Sequence, residues 1–179
     1  ADMILSEFIL LGIGGKELSE ENAAQTAKAL NIIQPDFIRV HATGIKLESK
    51  LGEFVRDGSF TLQSEEEIVI EQKLFLQQLH EMDSYYVNEH IVNLLLEVRG
   101  NLRTEKQEML STIDRFLTLP PDERLLFTVG RRLNIFFRLD DLKKPKLHQK
   151  AGESLQQILS KNPHVDFAAL CNYVRQSQI

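Results

Sequence analysis

Only one cysteine, Cys171, occurs in the 179 residues. A lone thiol excludes an internal disulfide and fits a reducing cytoplasm. It equally excludes an iron–sulfur cluster held by several cysteines of this chain alone. Long apolar runs are missing too. None approaches the about 18 residues that a bilayer-crossing helix needs, so no membrane partner is expected. The opening "ADMILSEFILL" carries Asp2 and Glu7 and has no basic leader, a poor match to a signal peptide. Basic charge is in deficit, with 21 Lys and Arg against 26 Asp and Glu and a formal net charge of −5. That balance argues against general nucleic-acid binding. The one basic stretch, "LKKPKLHQK" from Leu142 to Lys150, is short and reads as a solvated linker.

With 42% hydrophobic residues, the chain can bury one good core and a small helical addition. Residues 4–12 are β-rich with only Ser6 and Glu7 polar, which suits a strand buried on both faces. Gly12, Gly14 and Gly15 follow in the turn "GIGGKE", and Ser19 stands where it would cap the next helix, with Glu20 and Glu21 at the positive dipole end. Ala23, Ala27, Leu30 and Ile33 form the apolar face of that helix, and Pro35 ends it. "DFIRVHAT" (Asp36 to Thr43) reads as a second strand, so the pattern is a parallel βαβ unit. The polar loop "GIKLESKLGEFVRDGSFTLQ" is long enough for function or a short helix of its own. "SEEE" at Ser64 is a capping box opening a helix through about Met82, and "SYYVNEHIVN" contains a third strand ending near Glu89. After Gly100 the pattern is helical: "TEKQ" at Thr104 is a second capping-box match, "LPPDER" opens another helix, and two short helices meet at Asn162-Pro163.

The glycine turn fails both common phosphate-binding templates. In G-x-G-x-x-G the third glycine position is Glu17, and His41 and Thr43 stand where a ribose-binding acid belongs. In G-x-x-x-x-G-K-[ST], Leu10 occupies the first glycine position and Glu17 follows Lys16. What remains is backbone that approaches a neighbour or ligand closely, with a plain strand-to-helix corner as the competing reading. Arg39 alternates with Ile38 and Val40, so it either meets a ligand or points to solvent. A histidine such as His90 is more often a hydrogen-bonded structural residue than a catalytic one. His41, His80, His148 and His164 lack metal-ligand spacing, no G-x-S-x-G elbow supports hydrolase chemistry, and Glu65 to Glu67 are explained by capping and dipole effects. Cys171 reads as a small buried hydrophobe.

"ILLGIGGKE", the S-E-E-rich helix after it and "NIIQPDFIRV" resemble the late-strand region of radical S-adenosylmethionine enzymes, which often carry a G-(L/F/I)-(P/G)-G-(E/K/Q) turn there. "LGEFVRDGSFTLQSEEEI" and "YYVNEHIVNLLLEVRGNL" are similar to the segments that follow in that family, so the likeness covers roughly residues 4–118. The family's C-x-x-x-C-x-x-C loop and first four strands are absent, and its P-G-T-P-L turn survives only as "KLESKL". The resemblance therefore implies the C-terminal half of such a protein. It implies an α/β fold: a partial (β/α) barrel, the last strands of a TIM-like barrel, over residues 1–100, followed by an all-helical extension over 101–179. By the same resemblance, Gly12, Ile13, Gly14, Gly15 and Arg39 would border S-adenosylmethionine, while His41, Glu89, His90 and Asn93 would face substrate. A [4Fe–4S] cluster would belong to the parent oxidoreductase, with neither cofactor expected on this chain alone. The implied partners are the N-terminal half of the barrel and a small-molecule or macromolecular substrate, with self-association through exposed sheet edges. A non-catalytic α/β interaction module with a partner-docking helical tail is the alternative, and an independent nucleotide-binding domain is a third.

Overall fold

A computed structural model describes residues 3–178. Three strands, β1 (Ser6–Leu11), β2 (Phe37–Ala42) and β3 (Tyr85–Val87), lie parallel in that order. A two-residue strand β4 (Gly100–Asn101) adds antiparallel to β3, which makes the sheet mixed and open. Seven α-helices accompany it: α1 (Ser19–Ile33), α2 (Lys50–Asp57), α3 (Glu65–Gln78), α4 (Lys106–Leu117), α5 (Pro121–Arg132), α6 (Pro145–Lys161) and α7 (Phe167–Gln176). The protein is thus α/β, and no helix among the described residues is long and apolar enough to cross a membrane.

The expected βαβ unit is present as β1–α1–β2, with Ser6 opposite Phe37 and Leu11 opposite Ala42. Gln34 closes α1 in the left-handed conformation, just before Pro35. The long polar loop contains a helix of its own, α2, capped by the Ser49 hydroxyl. The capping box at Ser64 and Glu67 is formed in full.

Several expectations are corrected. β1 is buried on one face only: Ile9 and Leu11 enter the core, while Phe8 is 65% and Leu10 47% exposed. Helices cover one side of the sheet, and no element among the described residues covers the other. Ser19 is the first residue of α1 rather than its cap, because its hydroxyl donates to Glu71 instead. The match at Thr104 to Gln107 forms no capping box; α4 starts at Lys106, and the Glu105 carboxylate accepts from the Asn101 amide one turn back. α3 stops at Gln78, short of Met82. The basic stretch from Leu142 is not a linker, since Pro145 sits in the first turn of the 17-residue helix α6.

A single apolar core runs through the sheet and the helical region. Ile9, Val40 and Phe75 belong to the same buried cluster as Ile113, Phe127 and Ala151. At its helical end Phe127 packs between two rings, tilted against Phe116 at 5.9 Å and parallel to Phe136 at 5.9 Å.

Candidate functional site

Alternation along a strand sends successive side chains to opposite faces. On β2 it buries Ile38, Val40 and Ala42 under the helices, and turns Phe37, Arg39 and His41 to the bare face. The same parity places Phe8 and Leu10 of β1 and Val87 of β3 there. Of these, Phe8, Arg39, His41 and Val87 line an open concavity of about 300 Å³ with Glu89 and His90. Four of the expected site residues, Arg39, His41, Glu89 and His90, therefore meet in one place.

The Arg39 guanidinium donates from Nε to Ser6 Oγ at 3.0 Å and lies 5.9 Å from the Phe8 ring centroid and 5.7 Å from that of Phe37. Cation–π contact with both rings holds the charge at the sheet surface. His41 stands edge-on to Phe8 at 5.5 Å and stacks on His90 at 4.3 Å. Burial, then the neighbouring His90 and Arg39, push the His41 imidazole below its ordinary value of 6.5. The Val92 amide donates to His90 Nδ1 at 3.4 Å, which leaves Nε2 as the protonated nitrogen of the neutral ring. Glu89 is exposed and paired with Arg99, so its charge is drawn away from the histidines.

Asn93 is placed differently. It is 4% exposed and does not face the concavity. Its Oδ1 accepts from the Ala42 amide at 2.7 Å, and its Nδ2 donates to Val40 O at 2.7 Å and to Asn88 Oδ1 at 2.5 Å. The side chain thus ties the end of β2 to the loop that carries His90. Arg131 donates to the carbonyls of Ile91 and Asn93, and Arg132 to that of Val92, so the same loop is fastened from α5. Replacing Asn93 by Ala leaves the buried Ala42 amide without its acceptor. About 1–3 kcal/mol of stability is expected to be lost, read as a lower urea midpoint.

The glycine turn is occupied by the protein itself. Gly12 has φ +83°, and its amide donates to Glu71 Oε1 at 3.1 Å. A Cβ there would come within 3.3 Å of Gln63 Oε1. Gly15 has φ +63°, and a Cβ there would reach 3.0 Å from the Thr61 carbonyl oxygen, to which the Lys16 amide donates. At Gly14 the nearest group would be the Leu18 carbonyl, 3.0 Å away. The glycines are required by close packing on α1 and on the segment before α3, and only Ile13 of the four is exposed. They leave no cradle that a ligand would fill.

Two groups escaped the sequence reading. Glu71, fully buried on α3, accepts from the Gly12 amide, from Ser19 Oγ at 2.9 Å and from Asn22 Nδ2 at 2.7 Å. Its spacing from Ile68 and Phe75 puts it on the apolar stripe of α3, the available signal. Glu65, at the start of the same helix, is not a dipole residue in the solvent. It is 4% exposed and takes both oxygens to Arg132, at 3.0 and 2.6 Å, with Arg175 of α7 at 3.4 Å. Burial opposes its charge, but Arg132 and Arg175 prevail and hold the carboxyl below its ordinary 4.5.

Cys171 is buried on α7, and burial with the Glu65 charge pushes its thiol up to about 12. A buried, protonated thiol on its own cannot provide the thiolates of an iron–sulfur cluster, so the residues present do not fit that group. Among the described residues no set of three or more His, Cys, Asp or Glu is arranged to hold a metal ion. In comparisons with protein-family models, curated proteins and solved structures, nothing matches the chain.

Proposed function

We propose that the chain is the C-terminal part of a radical S-adenosylmethionine-type protein, in which β1, β2 and β3 are late strands of a (β/α) barrel. The observation that carries the reading is the sidedness of the sheet. Three parallel strands are covered by helices on one face, and the bare face carries Arg39 and, toward the strands' C-terminal ends, the stacked His41 and His90. Ligands of barrel enzymes sit at that end. β1 is an edge strand, with Met3 and Ile4 exposed just before it and Phe8 and Leu10 exposed on its bare face, and an uncovered apolar edge of this kind calls for a further strand. In the proposed barrel that strand comes from the N-terminal half, which also supplies the cluster cysteines. This chain contributes one wall, with Ile13 and Arg39 toward the cofactor and His41 and His90 toward substrate, and is inactive by itself.

The test is the polypeptide read from the start codon of the same reading frame, purified and reconstituted anaerobically. A C-x-x-x-C-x-x-C loop and iron–sulfur absorbance are expected on it, and no such absorbance on residues 1–179 alone. Cluster absorbance on this chain alone, or a longer polypeptide without that loop, overturns the proposal. The exposed apolar edge of β1 equally favours a second reading, a non-catalytic module that docks a partner chain there. A reading frame that starts at the present N-terminus would select it.

A further inference from the structure

We infer that the bare face of the sheet is an oxyanion-binding site, in which Arg39, His41 and His90 together hold a carboxylate- or phosphate-bearing ligand. The inference goes beyond the barrel reading and stands without it, because the three groups converge on this chain's own surface.

Three observations carry it. Arg39 anchors through Nε on Ser6, which leaves the terminal edge of its guanidinium, the fork that grips carboxylate and phosphate bidentately. Its two ring contacts hold the guanidinium on the bare face, and Arg39 lines the concavity together with both histidines. His41 and His90 stack face to face at 4.3 Å, and His90 presents Nε2–H as a donor. Two imidazoles and a guanidinium grouped this way repel one another as each gains charge, and an oxyanion among them removes that penalty. One carboxylate, Glu89, is among the residues that line the concavity. Glu89 is taken up by Arg99, and the groups that β1 and β3 present beside it, Ser6, Phe8 and Val87, are uncharged.

The sign of the linkage follows from His41. In the free protein its imidazole is held low by burial, His90 and Arg39. A bound oxyanion favours the protonated form, so the ligand raises the His41 midpoint, and binding tightens as pH falls through it.

Imidazole NMR of the chain tests this, with the five histidine signals assigned by substitution and with succinate and inorganic phosphate as probes at constant ionic strength. Saturable shifts confined to His41 and His90, an upward move of the His41 midpoint, and about tenfold weaker binding in Arg39→Gln are expected. Saturation by succinate alone assigns a carboxylate ligand, and by phosphate alone a phosphate ester. Shifts that match added sodium chloride, that spread equally to His80, His148 and His164, or that persist unchanged in Arg39→Gln overturn the inference. If Arg39→Gln does not fold, His90→Gln supplies the same comparison. A parent polypeptide without cluster cysteines would defeat the barrel proposal and leave these signals as they are.

Discussion

Glu65→Ala is expected to be among the most destabilising single changes, costing about 3–5 kcal/mol, because it strands buried guanidinium groups. Arg132 and Arg175 are 5% and 1% exposed, and Glu65 is their shared carboxylate. Arg131, also buried, lies close enough to add to the same field. Removing that carboxylate leaves the guanidinium groups of Arg132 on α5 and Arg175 on α7 in the interior without their shared anion. Loss on this scale approaches the whole stability of a typical domain, about 5–15 kcal/mol. Glu65→Gln retains an oxygen acceptor for Arg132 and keeps the shape, so a smaller loss is expected from it.

The pH dependence separates charge from packing. The folded carboxyl titrates below its unfolded value of 4.5, so its contribution is present above that pH. It is lost as pH falls through the depressed folded value. Acid unfolding followed by circular dichroism should therefore be shallower in Glu65→Gln than in the parent. Equal slopes below pH 4.5 would mean that Glu65 does not carry the acid sensitivity.

What the sequence discloses here depends on distance along the chain. β1, α1 and β2 are set by local signals, an apolar run, glycines, helical spacing and Pro35, and they form in the order read, although Ile33 ends up exposed rather than on the buried face of α1. The box at Ser64 and Glu67 is equally local and forms. Alternation also suffices to send Arg39 and His41 to one face, so most of the candidate site is legible. Ser19 shows where local logic yields: it has the chemistry of a cap, but buried Glu71, 52 residues away, takes its hydroxyl. Asn93 has the same lesson, since its buried contacts to Val40 and Ala42 cross from a different part of the chain. The Glu65–Arg132 pair joins residues 67 apart, a pairing that no local pattern records. The bare face of β1 is illegible for another reason. An apolar run reads alike whether one face or both are covered, and nothing among the described residues covers Phe8 and Leu10.

Phe127→Ala is expected to cost about 3–5 kcal/mol and to lower the stability of the sheet as much as that of the helices. Phe127 is fully buried on α5 between Phe116 of α4 and Phe136, and Phe136 in turn lies on Gly130, where even a Cβ would clash with its ring. No neighbouring side chain stands free to fill the space, so the cavity term adds to the lost burial. Phe127→Leu, which keeps most of the volume, should cost well under half as much. The core is continuous from Ile9 and Val40 through Phe75 and Ile113 to Phe127, and a cooperative unit loses protection throughout when any part of it is weakened. Native-state hydrogen exchange reads this directly. In Phe127→Ala the slowest amides of β2 and α3 should speed up by the same factor as those of α4 and α5. Faster exchange confined to α4–α7, with β1–β3 unchanged, would show instead that the helical region opens as a unit of its own. The site would then rest on the sheet alone, although Arg131 and Arg132 fasten the His90 loop from α5.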